Sequence, residues 1–356
     1  MKKIKVVFLI LFISICFVSC KKDQPLVPPT PSVDAYATGV FITNEGPFMN
    51  GTGTVSFYNR STGSVENDIF QTINNRPLGN IVQSIEVYNG KAYICVNNSG
   101  KVEIVEASTF VSSGVISGLN YPRHFIGISS SKGYISQWGK KIAVVNLSDN
   151  TIIKTIQTNH YSDNMLLFDN KVFVLNSKGF SSDSTLTIID AQTDLIIDTK
   201  TIGINPSSLV IDKNNKIWIL CSGKGVNGFP AGTDSKGSLV CFNPATMTIE
   251  NSFSFSSTTL HPEKLVINNA NDQLFYNYNN GVFQFDISST TLNTNPFVNN
   301  KNFYGLGFDP LSGYLFGADS KDYIQSGWIY RYNSQIPNSV IDSFKVGVIP
   351  GDFFFR

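Results

Sequence analysis

Short apolar segments separated by polar turns run through most of the chain, and they recur in groups of four. One group has apolar segments at 84–88, 91–96, 101–105 and 110–116, with the hairpin signal Asn89-Gly90 between the first two. Segments of this length, bounded by Asn, Gly, Ser and Thr, are typical of β-strands. Because no long segment has helical periodicity, the pattern predicts an all-β protein.

The group of four strands repeats along the chain. Most intervals between groups are close to the roughly 40–45 residues of a four-stranded propeller blade. The repeat therefore predicts a single seven-bladed β-propeller over residues 39–356. The first strands of the groups start near Ser84, Phe125, Met165, Leu209, Leu265, Leu306 and Phe353.

The count of seven blades depends on the two ends of the chain. The first group has apolar segments at 40–43, 54–58 and 65–70 but lacks a preceding inner strand. The last group is followed by an extra apolar segment at 353–356. We therefore expect the C-terminal segment to complete the N-terminal blade, which closes the ring and removes exposed strand edges.

Up-and-down blades divide the connections between two faces. Turns between strands one and two, and between three and four, lie on what we call the tight-turn face. Loops between strands two and three, and between blades, lie on the long-loop face, which includes the variable segments 44–53, 177–184, 222–237 and 319–327. Variable loops on a rigid scaffold often carry binding sites, so we expect the ligand on the long-loop face.

The long-loop face is predicted to hold aromatic and charged side chains, including all three histidines of the chain. Such a set suits a large, flat, partly polar ligand or a protein partner. The alternative for each ring is that it packs only against its own loop. The candidate ligand-binding residues are Arg76, Tyr121, Arg123, His124, Trp138, His160, Tyr161, Phe229, His261, Tyr278, Phe303, Tyr304 and Tyr323.

The N-terminus has the features of an export signal. Three lysines among the first five residues precede an apolar stretch at 6–18, which is too short for a membrane-spanning helix. A small residue then precedes Cys20, and this arrangement resembles a lipobox. The resemblance implies a signal peptide at 1–19 and lipidation of Cys20. The alternative is an ordinary secretory signal cleaved nearby.

The segment after the cysteine resembles an anchor and its tether. Lys21-Lys22-Asp23 resembles the surface-export signal of Bacteroidetes lipoproteins. Four prolines follow within 24–31 and favour an extended, semi-rigid linker. We therefore expect a tether at 20–38 and a lipid-anchored protein of the outer membrane, exposed at the cell surface.

Composition and motifs argue for binding rather than catalysis. The 356 residues are 42% hydrophobic and 15% charged with a net charge of +1, which supports a large core. Nothing in these totals indicates a nucleic-acid binder, which would need a clustered basic surface. The segment 223–228 spells G-x-G-x-x-G, but a strand follows it where a dinucleotide site needs a helix. Asp163 and Glu45 lack an identifiable catalytic partner in the sequence. We expect no catalytic residue, no metal site and no cofactor.

The cysteines of the predicted blades are few. Cys95, Cys221 and Cys241 all fall in apolar strand segments, where we expect buried thiols. A bridge between Cys221 and Cys241 is left open by the sequence.

Several stretches resemble the YncE-like propeller lipoproteins of Bacteroidetes, which are also labelled DUF5074. They are 40–46 with its Asn-Glu-Gly, 56–58, 67–70, 75–79 with its Pro-Leu-Gly, and 121–123. The group includes the BtuG type, a surface propeller that binds cobalamin beside a TonB-dependent transporter. The resemblance implies corrinoid capture for such a transporter. The chain departs from the group at Asn80, where an acidic residue is common, and at 47–50.

The leading hypothesis is therefore a surface-anchored ligand-binding propeller that captures a corrinoid. The alternative is a protein- or glycan-binding surface module without a small-molecule site. A third class, a hydrolase or lactonase with a metal in the central channel, rests on fold analogy alone.

Overall fold

The computed structural model describes residues 34–48, 51–177, 182–225 and 234–356. These residues form seven four-stranded antiparallel sheets, each a blade of one ring. The predicted all-β, seven-bladed propeller is confirmed. The predicted signal peptide and Cys20 lie outside the described residues, and the predicted tether lies largely outside them.

The strands follow one another blade by blade. Blade 1 has β1 (Gly39–Asn44), β2 (Thr54–Asn59) and β3 (Val65–Glu66), and the helix α1 (Ile69–Asn74) follows it. Blade 2 has β4 (Val82–Tyr88), β5 (Lys91–Val96), β6 (Lys101–Glu106) and β7 (Ser112–Ile116). Blade 3 has β8 (Pro122–Ser129), β9 (Lys132–Gln137), β10 (Lys141–Asn146) and β11 (Thr151–Gln157). Blade 4 has β12 (Ser162–Phe168), β13 (Lys171–Asn176), β14 (Thr185–Asp190) and β15 (Leu195–Thr201).

The last three blades complete the ring. Blade 5 has β16 (Pro206–Ile211), β17 (Ile217–Cys221), β18 (Ser238–Asn243) and β19 (Thr248–Ser254). Blade 6 has β20 (Glu263–Ile267), β21 (Gln273–Tyr278), β22 (Gly281–Asp286) and β23 (Val298–Asn299). Blade 7 has β24 (Gly305–Phe308), β25 (Tyr314–Asp319), β26 (Ser326–Asn333) and β27 (Val340–Val348). The last strand, β28 (Pro350–Phe355), belongs to blade 1.

The core lies between neighbouring blades. The second and third strands of a blade are almost wholly buried, as in β13 and β14, whereas fourth strands such as β15 are largely exposed. Tyr93 of blade 2 stacks on Phe125 of blade 3 with ring centroids 3.8 Å apart. Aromatic and aliphatic side chains on both surfaces of each sheet thus fix the blades against each other.

The C-terminal strand closes the ring, as predicted. β28 pairs antiparallel with β1, with Phe355 opposite Val40 and Phe353 opposite Ile42. The Arg356 N–H donates to the Gly39 carbonyl at 2.9 Å, and the Arg356 guanidinium donates to the carbonyl of Ala107 at 2.6 Å. The first and last strands of the propeller are therefore fastened together in blade 1.

The segment at 65–70, predicted as one strand, divides into two elements, so that prediction is wrong in part. Its strand ends at Glu66, and the helix α1 begins at Ile69. Asp68 adopts a left-handed conformation with φ 51°, which breaks the strand. The helix buries Ile69 and Phe70 in the core shared by blades 1 and 2.

The three cysteines of the blades are free and buried. Cys221 packs in the cluster that blade 5 shares with blade 4, whereas Cys241 packs in the cluster that it shares with blade 6. The bridge left open by the sequence is therefore not formed. Within the described residues, no helix is long and apolar enough to cross a bilayer.

Candidate functional site

The inner strands surround a central channel that holds a cavity of about 570 Å³. Its walls come from the inner strands of the blades, and its mouth lies among long-loop residues such as Glu45, Trp138 and Tyr304. Cavities of this size are in the usual range for small-molecule sites, roughly 300–1,000 Å³. The mouth is therefore the candidate site.

A repeated irregularity of the inner strands shapes the mouth. In blades 1 to 6, the ladder between the first and second strands shifts register close to the long-loop end of the inner strand. Between Pro206 and Ser208, for example, Ser207 is extra relative to the neighbouring strand. Such β-bulges bend a strand and re-aim side chains, and they are common beside functional sites. Here the bulged residues line the cavity.

One position beside these bulges forms a ring of polar residues around the mouth. In blades 1 and 3 to 6 it is the residue just before the apolar start of the inner strand. In blade 2 that residue is Ser84, and Gln83, one residue earlier, lines the cavity instead. In blade 7 the same position is Gly305, which adds no side chain. The polar ring, as we call it, consists of Gln83, His124, Asn164, Ser208, Lys264 and Asp352.

The carboxylate of Asp163 organises one side of the mouth. Its oxygens lie 3.3 Å from Nε of Arg123, 3.3 Å from Nε2 of His124 and 3.3 Å from Nε1 of Trp138, which donates to it. Burial alone would raise the pKa of Asp163, but the charge of Arg123 and the bond with His124 outweigh it and hold the pKa well below its usual range. Asp163 is thus ionised at neutral pH.

Arg123 is held on two further sides. Its guanidinium carbon lies 4.2 Å from the centroid of the Trp138 ring, and it also donates to the side-chain oxygen of Gln83. A guanidinium over an indole is a favourable cation–π arrangement. Arg123, His124 and Trp138 therefore form one ordered unit around Asp163, which we call the Asp163 cluster.

Glu45 and Tyr304 form a second polar group at the mouth. The Tyr304 hydroxyl donates to Glu45 Oε1 at 2.9 Å, and Lys264 Nζ lies 5.2 Å from the centroid of the Tyr304 ring. Burial raises the pKa of Glu45, and the hydrogen bond from Tyr304 and the Lys264 charge offset only part of that effect. Lys264 has φ 60°, a strained conformation for a lysine.

Two further carboxyl groups have raised pKa values. Burial raises the pKa of Asp352, although the charge of His124 opposes this, and one Asp352 oxygen accepts the Ile85 N–H at 3.3 Å. Burial, reinforced by Asp352, raises the pKa of Glu86 to about 8. Glu86 is therefore largely protonated at neutral pH.

Beyond the polar ring the cavity wall becomes apolar. The lining there includes Val266, Ile267, Phe308, Phe353 and Phe355. A polar mouth over an apolar interior orients a ligand by its polar groups and encloses its apolar part.

The structure brings together some of the residues predicted from sequence. Arg123, His124, Trp138 and Tyr304 all line the cavity. Tyr323 packs edge-on against Tyr304 with ring centroids 5.8 Å apart and is 53% exposed, so it extends the mouth outward.

Other predicted residues lie away from the cavity. Arg76 is paired with buried Glu103 in blade 2, and His160 Nδ1 lies 2.7 Å from Asp183 Oδ2. Phe303 is 2% exposed and packs in the core shared by blades 6 and 7, so its ring does not reach the surface.

The remaining predicted residues are scattered over the long-loop face. Tyr121 is exposed, Lys140 Nζ lies 4.9 Å from the centroid of the Tyr161 ring, and the Tyr278 ring packs on Phe255. His261 Nδ1 contacts the Ser222 carbonyl at 2.8 Å. Phe229 lies outside the described residues.

Sequence reasoning missed Gln83, Asn164, Ser208, Lys264 and Asp352. The signal of the last four was present, because each stands directly before the apolar start of an inner strand, whereas Gln83 stands one residue earlier. A comparison of that single position across the blades would have found the polar ring except for Gln83. Glu45 and Asp163 lacked a visible partner because their partners are distant in sequence.

No group of three or more His, Cys, Asp or Glu side chains suited to a metal occurs among residues 34–48, 51–177, 182–225 and 234–356. The cavity instead offers ordered hydrogen-bond donors and acceptors, which can bind and orient a ligand.

The model of a family described as "Domain of unknown function (DUF5074)" matches residues 38–343. The match covers most of the propeller. The chain belongs to the DUF5074 family. No curated protein matches the sequence of this DUF5074 propeller.

Solved structures share the fold of this DUF5074 propeller. A quinonprotein alcohol dehydrogenase-like protein from Bacteroides thetaiotaomicron superposes with a TM-score of 0.66 at 15% identity, over 90% of this chain and 78% of that chain. The hydrazine synthase of Kuenenia stuttgartiensis superposes with a TM-score of 0.58 at 11% identity, over 76% of this chain and 88% of that chain. At these identities the likeness concerns the fold alone.

Proposed function

We propose that this protein is an exported lipoprotein, acylated at Cys20 and exposed on the outer membrane, that captures a ligand at the mouth of its central channel. One observation carries the proposal. Six blades contribute polar residues to the polar ring above a cavity of about 570 Å³, and Asp163 orders three of the lining side chains beside it. Pre-ordered polar groups at an apolar cavity favour binding because less freedom is lost when the ligand arrives.

The charges at the mouth favour a neutral ligand with many polar groups. Cationic or basic groups and carboxyl groups alternate there, so a strongly charged ligand meets like charges whichever its sign. Amides and hydroxyls can both donate and accept, and they suit such a mixed surface. The groups concerned are Arg123, His124, Lys264, Glu45, Asp163 and Asp352.

A corrinoid is the specific ligand that we propose. It combines a flat macrocycle with a periphery of amide groups, and it is too large for the cavity, so it would lie across the mouth. There its amides would meet the polar ring, and the rings of Trp138 and Tyr323 would flank it. A TonB-dependent outer-membrane transporter is the proposed partner that receives the ligand. The role proposed is binding without catalysis.

Titration of the purified mature protein with cobalamin tests this function. We expect saturable heat in calorimetry and a change in the visible absorption of the corrinoid at micromolar concentrations. Absence of both would exclude corrinoid capture. A pull-down from outer-membrane extract and a glycan-binding screen would then test the protein- or glycan-binding alternative.

A further inference from the structure

The tight-turn face carries exposed aliphatic side chains where the fourth strands begin. On the neighbouring blades 3 and 4 these are Ile152, Ile153, Leu195, Ile196 and Ile197, which we call the aliphatic rim. Ile153 is 60% exposed and Leu195 is 59% exposed. Blade 7 repeats the feature at Val340, which is 53% exposed. Single exposed apolar residues are normal, but a group of them marks an interaction surface.

The two halves of the rim are joined. Lys154, the residue after Ile153, crosses from blade 3 to blade 4 and donates to the Thr193 carbonyl at 3.1 Å and to the Asp194 carbonyl at 3.3 Å. Leu195 follows immediately. The aliphatic side chains of the two blades therefore form one surface at one end of the ring.

The backbone of the rim disfavours pairing with another strand. The ladder of β11 shifts register at Ile153, and that of β15 shifts at Ile197, so each strand is bulged within the rim. The outer strands of blades 2, 5 and 7 have the same irregularity. Bulges at edges block the regular addition of a further strand. The rim is therefore suited to contact with an apolar surface, which needs no backbone hydrogen bonds.

The chain leaves the propeller on this same face. The Tyr36 N–H donates to the carbonyl of Ser108, in the turn between β6 and β7, at 3.0 Å. The Tyr36 ring is buried, and its carbonyl accepts a hydrogen bond from Arg356 at 2.6 Å. The segment that leads back to Cys20 thus starts from a fixed point on the tight-turn face. Residues 20–33 can span at most about 50 Å, at roughly 3.5 Å per residue.

Three lysines beside the rim, Lys132, Lys154 and Lys171, are paired with carboxylates of the same face. Asp194 lies 2.8 Å from Lys132 Nζ and 3.7 Å from Lys154 Nζ. Asp169 lies 3.4 Å from Lys171 Nζ in the next turn. Because these lysines are paired within the face, we expect apolar contact rather than attraction to anionic lipid to hold the rim.

We propose that the aliphatic rim rests on the lipid bilayer, so that the tight-turn face is the membrane side and the channel mouth faces away from it. The inference rests on the proposed acylation at Cys20. The lipid anchor keeps the rim at a high effective concentration beside the bilayer, so a modest apolar contact suffices to orient the propeller.

Site-specific fluorescence on the anchored protein tests the orientation. The mature lipoprotein is inserted into phosphatidylcholine vesicles that contain nitroxide-labelled lipid, with an environment-sensitive fluorophore on Ile197→Cys or on Ile324→Cys. Ile324 is 76% exposed at the long-loop face, and the native thiols of the blades are buried. We expect quenching and a blue shift at position 197 and neither at position 324. Added salt should leave the result unchanged.

Substitutions in the rim supply the matched control. Ile152→Ser with Ile153→Ser should reduce quenching at position 197 several-fold, whereas Ile324→Ser should not. Equal quenching at both positions, stronger quenching at 324, or none at either would overturn the inference. Mass spectrometry of the N-terminal peptide shows whether Cys20 is acylated, and so distinguishes a wrong orientation from a missing anchor. An unacylated Cys20 would refute the proposed anchoring itself, whereas cobalamin binding by the mature protein tests ligand capture independently.

Discussion

The side chain that orders the mouth is Asp163, and its charge can be removed with little change in shape. Asp163→Asn should weaken ligand binding at least about tenfold, about 1.4 kcal/mol, because Arg123 loses its ion-pair partner and Trp138 its charged acceptor. Calorimetric titration with cobalamin measures the effect. Asp183→Asn is the matched control, since Asp183 pairs with His160 outside the cavity lining. Equal affinities for the two variants would contradict the role given to Asp163.

Glu86 makes stability depend on pH in a specific direction. Its pKa rises from 4.5 to about 8 on folding, so between these values the folded state retains a proton that the unfolded state has lost. Stability therefore falls as pH rises across this window, by at most about 1.4 kcal/mol per pH unit from this group.

The Glu86→Gln variant removes that dependence. Urea denaturation at pH 5 and pH 8 should show that the variant gains stability relative to wild type as pH rises, because its amide stays neutral. An identical pH dependence in the two proteins would show that Glu86 ionises normally in the folded state.

At the scale of elements, the C-terminal strand is the closure of the ring. Removal of 353–356 eliminates three phenylalanines and leaves the inner edge of β1 unpaired at Val40, Phe41 and Ile42. Burying one such ring contributes roughly 1.5–3 kcal/mol, so we expect the deletion to lower the free energy of unfolding by several kcal/mol. Thermal and denaturant unfolding measure this. Phe48→Ala, at a ring that is 73% exposed, is the control and should change little. An unchanged melting temperature after the deletion would refute the closure.

The strand pattern and the closure could be predicted from sequence because each blade repeats the same local signals. Apolar runs ending at turns such as Asn89-Gly90 are local information. The helix at 69–74 could not be predicted in this way, since the burial of Ile69 and Phe70 against blade 2 overrides a strand-like sequence.

At the scale of the whole molecule, the site was harder to predict than the fold. Arg123 and Asp163 are far apart in sequence, and the packing of blade 3 against blade 4 brings Nε of Arg123 to 3.3 Å from the Asp163 carboxylate. Phe303 is the opposite case. It was predicted to be a ligand-binding residue because it lies between two blades in the sequence, but its ring is buried in the core. The loop in which a residue lies tells which face of the propeller it is on. The β-bulges and the burial of the side chain then decide whether it reaches the channel.

The propeller has two chemically different ends. The long-loop end has ordered polar groups over the cavity, whereas the tight-turn end has exposed aliphatic side chains and the fixed start of the segment toward Cys20. Together they fit the proposal of a molecule anchored at one end and open to ligand at the other.

The central claim is ligand capture at the channel mouth, and the crystal structure of the mature protein with cobalamin tests it most directly. The account predicts corrinoid density across the polar ring, in contact with Arg123, Trp138 or Tyr304. Corrinoid bound elsewhere on the propeller, or a mouth without density at saturating concentration, would contradict it.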